Sequence, residues 1–263
     1  MIKSRSLLFI PAKEKMLNKI KEFNADIYII DLEDSIENAE KENALNILMQ
    51  HLDNMREKSN IFVRINSDNY LKELKILNKY KEIGFMLPKF EYTSQYDEVE
   101  KILKEHDVIA LIESPLGLVN IEQIVTKDFV NAIAFGAEDY TAKVNMKNDK
   151  KNLIYQKSRI INYSKAYNKK VFDTPSFKIN DYEEFKEEVK LSADLGFDGK
   201  LLIHPKHIEF INDTFGNIDL DKYRDIIDKY EKSSEAVVVI DGVVYEKMHI
   251  NRMKKILKEN EEE

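Results

Sequence analysis

The chain has 263 residues, a formal net charge of -7 at pH 7, and neither cysteine nor tryptophan. With a pI near 5.5, this balance argues against a general nucleic-acid or anionic-membrane binder, and the missing cysteine excludes disulfides and thiol catalysis. No run approaches the roughly 20 apolar residues of a membrane span. The apolar core of the opening segment MIKSRSLLFIPAKEK is too short for a signal peptide, so a reducing cytoplasm is the expected setting.

Eight short apolar runs follow one another: 5–11 (RSLLFIP), 27–34 (IYIIDLED), 61–66 (IFVRIN), 84–89 (GFMLPK), 108–113 (VIALIE), 132–139 (AIAFGAED), 170–175 (KVFDTP) and 200–205 (KLLIHP). They are too short for helices and rich in Ile, Val, Leu and Phe, which reads as strands buried on both faces. Between them, helical apolar spacing predicts helices over 13–24, 38–58, 68–81, 94–105, 115–125, 151–168, 181–195 and 207–212. Ser94 and Asp181 are the expected N-caps and Gly196 the expected stop. Eight strands alternating with helices predict an α/β fold, a closed (β/α)8 TIM barrel over residues 1–215.

Beyond residue 215 the pattern changes. A helix over 219–233 precedes two β-type runs, 236–240 and 243–245, separated by Asp241-Gly242. That dipeptide between such runs is a hairpin signal. A helix over 248–260 and an acidic, solvated end at 261–263 close the chain. Residues 216–263 thus form an extension outside the barrel: a lid, an oligomer contact, or both.

In a barrel of this kind the C-terminal strand ends carry the chemistry. Here they hold Glu33, Asp34, Arg64, Asn66, Lys89, Glu113, Glu138, Asp139, Asp173 and His204. Glu113 and Asp139 end neighbouring strands. Such a pair either holds one hard cation, with open positions for substrate oxygens and water, or consists of hydrated acids at the rim. Arg64 reads either as a bidentate clamp for a carboxylate or as a structural partner of Glu33 and Asp34. Gly136-Ala137 are small enough to bring backbone N–H groups to a ligand oxygen, or simply to pack closely. His204, before a proline, reads as a hydrogen-bonded support before a base, and Lys89 as a rim ion pair before a Schiff-base lysine. Phosphate-loop, GxGxxG, HExxH, GxSxG and zinc-type cysteine patterns are all absent.

RSLLFIP, IIDLEDSI, VRIN, LPK, ALIESPLGL, AFGAEDY, GFDGKLLIHPKHIEFIN and VVVIDGVV occur in order between about residues 5 and 257. Together they resemble the citrate lyase beta subunit-like branch of the HpcH/HpaI aldolase family. The resemblance implies a TIM barrel, often trimeric, that cleaves or forms a carbon–carbon bond between a 2-oxo acid and an acyl thioester on CoA or an acyl carrier. It implies Mg2+ on Glu113 and Asp139 and a carboxylate grip by Arg64, with Glu33 and Asp34 behind it. It also implies a lid aspartate, Asp241, that reaches a neighbouring subunit. Alternatives within the resemblance are a pyruvate-type aldolase acting on free aldehydes, and a weakly active subunit that binds an oxo acid or acyl carrier inside a larger complex. The chain departs from the family at Pro11-Ala12-Lys13, on the thioester side, and at 173–179 (DTPSFKI). The carrier and the acyl substrate therefore stay open.

Overall fold

The structure, a computed structural model, describes residues 4–54, 60–91, 96–216, 220–233 and 235–261. Eight parallel strands close into a barrel in chain order: β1 Ser6–Pro11, β2 Ile27–Asp31, β3 Ile61–Arg64, β4 Gly84–Leu87, β5 Val108–Ile112, β6 Ala132–Phe135, β7 Lys170–Asp173 and β8 Gly199–Leu202. Each expected apolar run is a strand, and closure completes through pairing of β1 with β8.

Period-two alternation separates the barrel's two apolar layers. Leu7, Ile29, Met86, Leu111, Phe172 and Leu201 meet inside the barrel. Their strand neighbours, among them Leu8, Ile30, Val63, Ile112 and Val171, pack outward against the helices. Full burial of each such side chain contributes about 1.5–3 kcal/mol. The same alternation decides which strand-end residues can reach the mouth. Asp31, Arg64, Glu113 and Gly136 continue the inward series, whereas Asp173, next to inward Phe172, points outward.

Several helices are shorter than their apolar spacing predicts. The segment 13–24 becomes a turn of α-helix, Glu14–Leu17, and a 3-10 turn, Ile20–Glu22. Only Leu17 and Ile20 need burying there, and a spacing of three suits the tighter turn. The segment 115–125 divides at Asn120, whose side-chain N–H donates to Glu91 O at 2.7 Å. The helix expected over 38–58 is Lys41–Asn54 after a 3-10 turn, and residues 55–59 and Ser94 lie outside the described residues. Asp181 caps helix Tyr182–Leu195 by accepting Glu184 N–H at 3.0 Å, and Gly196 ends it at φ 101°.

The chain divides into two compact units, 2–215 and 216–263. The second contains helix Leu220–Ser233, an antiparallel hairpin of β9 Val237–Ile240 and β10 Val243–Glu246, and helix Lys247–Glu261. Its own small core is Ile226, Ile227, Ile240 and Ile250. Asp241 and Gly242 both have positive φ, 51° and 79°, as a tight hairpin turn of matching twist requires. No helix among the described residues is long and apolar enough to cross a membrane.

Candidate active site

A cavity of about 370 Å³ opens at the C-terminal end of the strands. Arg64 stands on its β2–β3 side. Its Nε and Nη2 donate to Asp31 Oδ1 and Oδ2, both at 2.7 Å, and the two residues are Cα partners in the strand register. Nη1 reaches Asp34 Oδ2 at 2.9 Å and lies 3.6 Å from Glu33 Oε2. The guanidinium carbon sits 4.8 Å from the centre of the Phe9 ring. Burial pushes the Asp31 carboxyl up, but bonding to Arg64 outweighs it and holds the group below its ordinary range. The fork is thus oriented from below by Asp31, a residue that the strand-end acids of the sequence do not include. Inward alternation through Ile27 and Ile29 is the signal in the sequence that points to it.

Glu113 is almost fully buried one residue past β5. Its Oε1 accepts the backbone N–H of Lys89 at 2.7 Å. Lys89 adopts φ 49°, a costly conformation for a lysine, and its Nζ pairs with Glu33 Oε1 at 3.1 Å. A Cβ on Gly136 would lie 2.7 Å from Glu113 Oε2, so only glycine lets β6 pass this close. Burial, and then the charges of Glu33 and Asp139, push the Glu113 carboxyl up to about 8. Glu33 is also raised, first by burial, and its Oε2 is buried with no hydrogen-bond partner among the described residues. Carboxylates crowded in this way fit a divalent cation, whose charge would reverse the strain on Glu113. No group of three or more His, Cys, Asp or Glu able to hold a metal is found among the described residues. A cation here would rest on Glu113 and Asp139 and complete its shell with water and substrate, as Mg2+ does.

Some expected positions need correction. Asp139 does not end β6. It lies in the first turn of an unpredicted helix, Ala137–Lys143, and still lines the cavity beside Gly136 and Ala137. The amides of those two residues are already committed: Gly136 N–H to Ile112 O at 2.9 Å, and Ala137 N–H to Thr174 Oγ1 at 3.2 Å. Pro11 and Asp34 line the cavity, while Glu33 lies behind it, between Arg64 and Lys89. Asn66 is turned to Glu73, donating through Nδ2 at 2.6 Å. His204 caps the next turn by accepting Lys206 N–H at 3.2 Å. Asp173 is buried behind the barrel wall, where Oδ2 accepts from Lys157 Nζ at 2.8 Å and Lys200 Nζ at 2.9 Å. Asp241 belongs to the C-terminal unit; it is exposed, 3.9 Å from Lys229 Nζ.

A closed parallel barrel with crowded carboxylates and a braced arginine at its C-terminal mouth defines a (β/α)8-barrel enzyme. The chain belongs to the HpcH/HpaI aldolase/citrate lyase family, whose model matches residues 5–205. It is accordingly a carbon–carbon lyase. It is 29% identical to the citrate lyase subunit beta of Leuconostoc mesenteroides subsp. cremoris, over 97% of this chain and 92% of the relative. It is 26% identical to the (3S)-malyl-CoA thioesterase of Cereibacter sphaeroides, over 94% and 90%. Among solved structures, the citrate lyase beta subunit of M. tuberculosis complexed with oxaloacetate and magnesium superposes with a TM-score of 0.71 at 28% identity, covering 82% of this chain and 98% of that one.

Proposed function

We propose that this chain is a Mg2+-dependent lyase that cleaves or forms a citryl-, malyl- or citramalyl-type acyl thioester, yielding a 2-oxo acid and an acetyl thioester. The observation that carries the reading is the buried Glu113, raised to about 8 by burial and by the charges of Glu33 and Asp139, in the cavity that Arg64 also lines. The oxaloacetate and magnesium held by the solved neighbour, and the malyl-CoA in the name of one relative, support the substrate class and the metal.

Glu113 and Asp139 would hold Mg2+, which supplies Lewis-acid stabilisation of the charge developing on the substrate's C2 oxygen. Arg64, braced by Asp31, grips the carboxylate of the oxo acid through its outward N–H groups. Glu33, set behind the cavity between Arg64 and Lys89, holds those two cations in position. Gly136, by its close approach to Glu113, and Ala137, bonded to Thr174, shape the lining beside Glu113. In cleavage the C2 hydroxyl loses its proton to a base. The carbon–carbon electron pair passes to the thioester, forming its enolate, and the Asp241 carboxyl protonates the enolate carbon. In condensation Asp241 instead removes the methyl proton. The partners implied are an oxo acid and a thioester on CoA or an acyl carrier, with the enzyme working as a homo-oligomer, a trimer by family resemblance. Release of a 2-oxo acid from citramalyl-CoA, malyl-CoA or citryl-CoA, present with Mg2+ and abolished by chelator, is the expected result. Cleavage of none of the three would overturn the reading.

A further inference from the structure

The charges and walls of the mouth favour one oxo acid over another, a step that rests on the lyase reading above. Arg64 is the only cation among the described residues lining the cavity, and it faces five carboxylates, Asp31, Asp34, Glu113, Glu138 and Asp139. Nε and Nη2 are spent on Asp31 and Nη1 reaches Asp34, so its charge is already shared. A lysine near this cavity, Lys89, directs its Nζ to Glu33 and does not line the cavity. One divalent cation and one substrate carboxylate therefore use what compensation exists. A second substrate carboxylate would meet net negative charge.

Much of the remaining lining is apolar. Phe9, Leu111 and Leu201 continue the barrel's inner layer below the cavity, and Phe177 and Ile203 line it beyond the ends of β7 and β8. The hydroxyls on the lining are those of Thr174 and Ser35. Thr174 Oγ1 already accepts Ala137 N–H. A hydroxyl can donate one hydrogen bond but supplies no charge. A methyl or hydrogen seated against this apolar lining is covered by apolar surface, whereas a carboxylate there would be stripped of water without a counter-charge.

We infer that the site takes a 2-oxo acid with a single carboxylate and a small apolar C3 group, as in pyruvate. Its thioester partner reaction is then of the citramalyl type in preference to the citryl type, whose oxo acid, oxaloacetate, carries a second carboxylate. Glyoxylate fits the charge pattern but leaves the apolar lining uncovered, so it ranks between them.

The test uses the full chain with Mg2+ and two readouts. Calorimetry with pyruvate and with freshly prepared oxaloacetate should show pyruvate binding about 100-fold tighter, the scale set by an unpaired charge in an apolar pocket. The ratio of kcat/KM for citramalyl-CoA over citryl-CoA should be of the same order. Ile203→Arg, which places a guanidinium at the half-buried edge of the apolar lining, should shift both preferences toward oxaloacetate and citryl-CoA. Pyruvate binding preferentially while no thioester is cleaved would sink the lyase reading and leave the charge discrimination standing. Oxaloacetate binding as tightly as pyruvate, citryl-CoA being cleaved as fast as citramalyl-CoA, or neither oxo acid binding, would each overturn the inference.

Discussion

Two parallel hydrogen bonds from Arg64 to Asp31 orient the guanidinium before any ligand arrives, and a lysine cannot reproduce that fork. Arg64→Lys should therefore weaken oxo-acid binding by about 2–4 kcal/mol, the scale of a charge-assisted hydrogen bond removed together with its support. Unchanged affinity by calorimetry would remove Arg64 from the site. Glu113 gives a prediction in pH. Its folded carboxyl, raised from 4.5 to about 8, binds protons that the unfolded chain releases. Its contribution to stability is present in full below about 4.5 and is lost as pH rises through 8, up to a few kcal/mol in metal-free protein. His207, stacked on Phe185 with its rings 3.8 Å apart, works in the opposite direction. Burial lowers it from 6.5 to about 4, so its contribution is lost as pH falls through that window. The two separate when Glu113→Gln is compared with the parent chain by urea denaturation at pH 5 and pH 8 without metal. The variant should lose less stability on going to pH 8, and equal pH dependence in both chains would mean that Glu113 is not a strained carboxylate.

At the scale of elements, the end of β7 carries a buried charge cluster without facing the mouth. Burial pushes Asp173 up, but the Lys200 and Lys157 charges outweigh it and hold its carboxyl below the usual range. Asp173→Asn leaves two buried ammonium groups without their carboxylate. It should cost about 3–5 kcal/mol of stability while leaving Mg2+ affinity of the folded protein unchanged; a fall in Mg2+ affinity would place Asp173 in the site instead. The same contrast shows what is legible in the amino-acid sequence. All eight strands are legible because each is a short, doubly buried apolar run. Arg64 and Glu113 stand out in the sequence because they sit at the ends of such runs, and Asp139 because it closes the segment FGAED, although it lies in a helix and not at the strand end. The roles of Asp31 and Asp173 are not legible, because proximity to a strand end ignores which face a side chain takes, and strand alternation decides that. The helix Ala137–Lys143 is hidden for a different reason: it is short, it begins directly after Gly136, and its first turn reads as a continuation of the strand.

At the scale of the whole molecule, a complete barrel is followed by a second compact unit whose hairpin turn presents an exposed Asp241. Our proposal gives that carboxylate the proton transfer at the thioester carbon. Asp241→Asn should leave Mg2+ and oxo-acid binding intact and abolish proton exchange at the thioester methyl. Chains carrying Asp241→Asn mixed with chains carrying Arg64→Ala should recover part of the activity that neither parent has, if the aspartate serves a neighbouring barrel. No recovery in oligomers shown to have exchanged subunits would confine it to its own chain. The central claim, a metal-dependent lyase built on Glu113 and Asp139, is tested most directly by following release of 2-oxo acid from citramalyl-CoA at increasing Mg2+ in the parent chain and in Glu113→Gln. The account predicts saturable Mg2+ activation in the parent and a loss of at least about 100-fold in Glu113→Gln, the order expected when a charged metal-binding group is removed. Full activity of the parent in chelator, or of Glu113→Gln at any Mg2+ concentration, would contradict it.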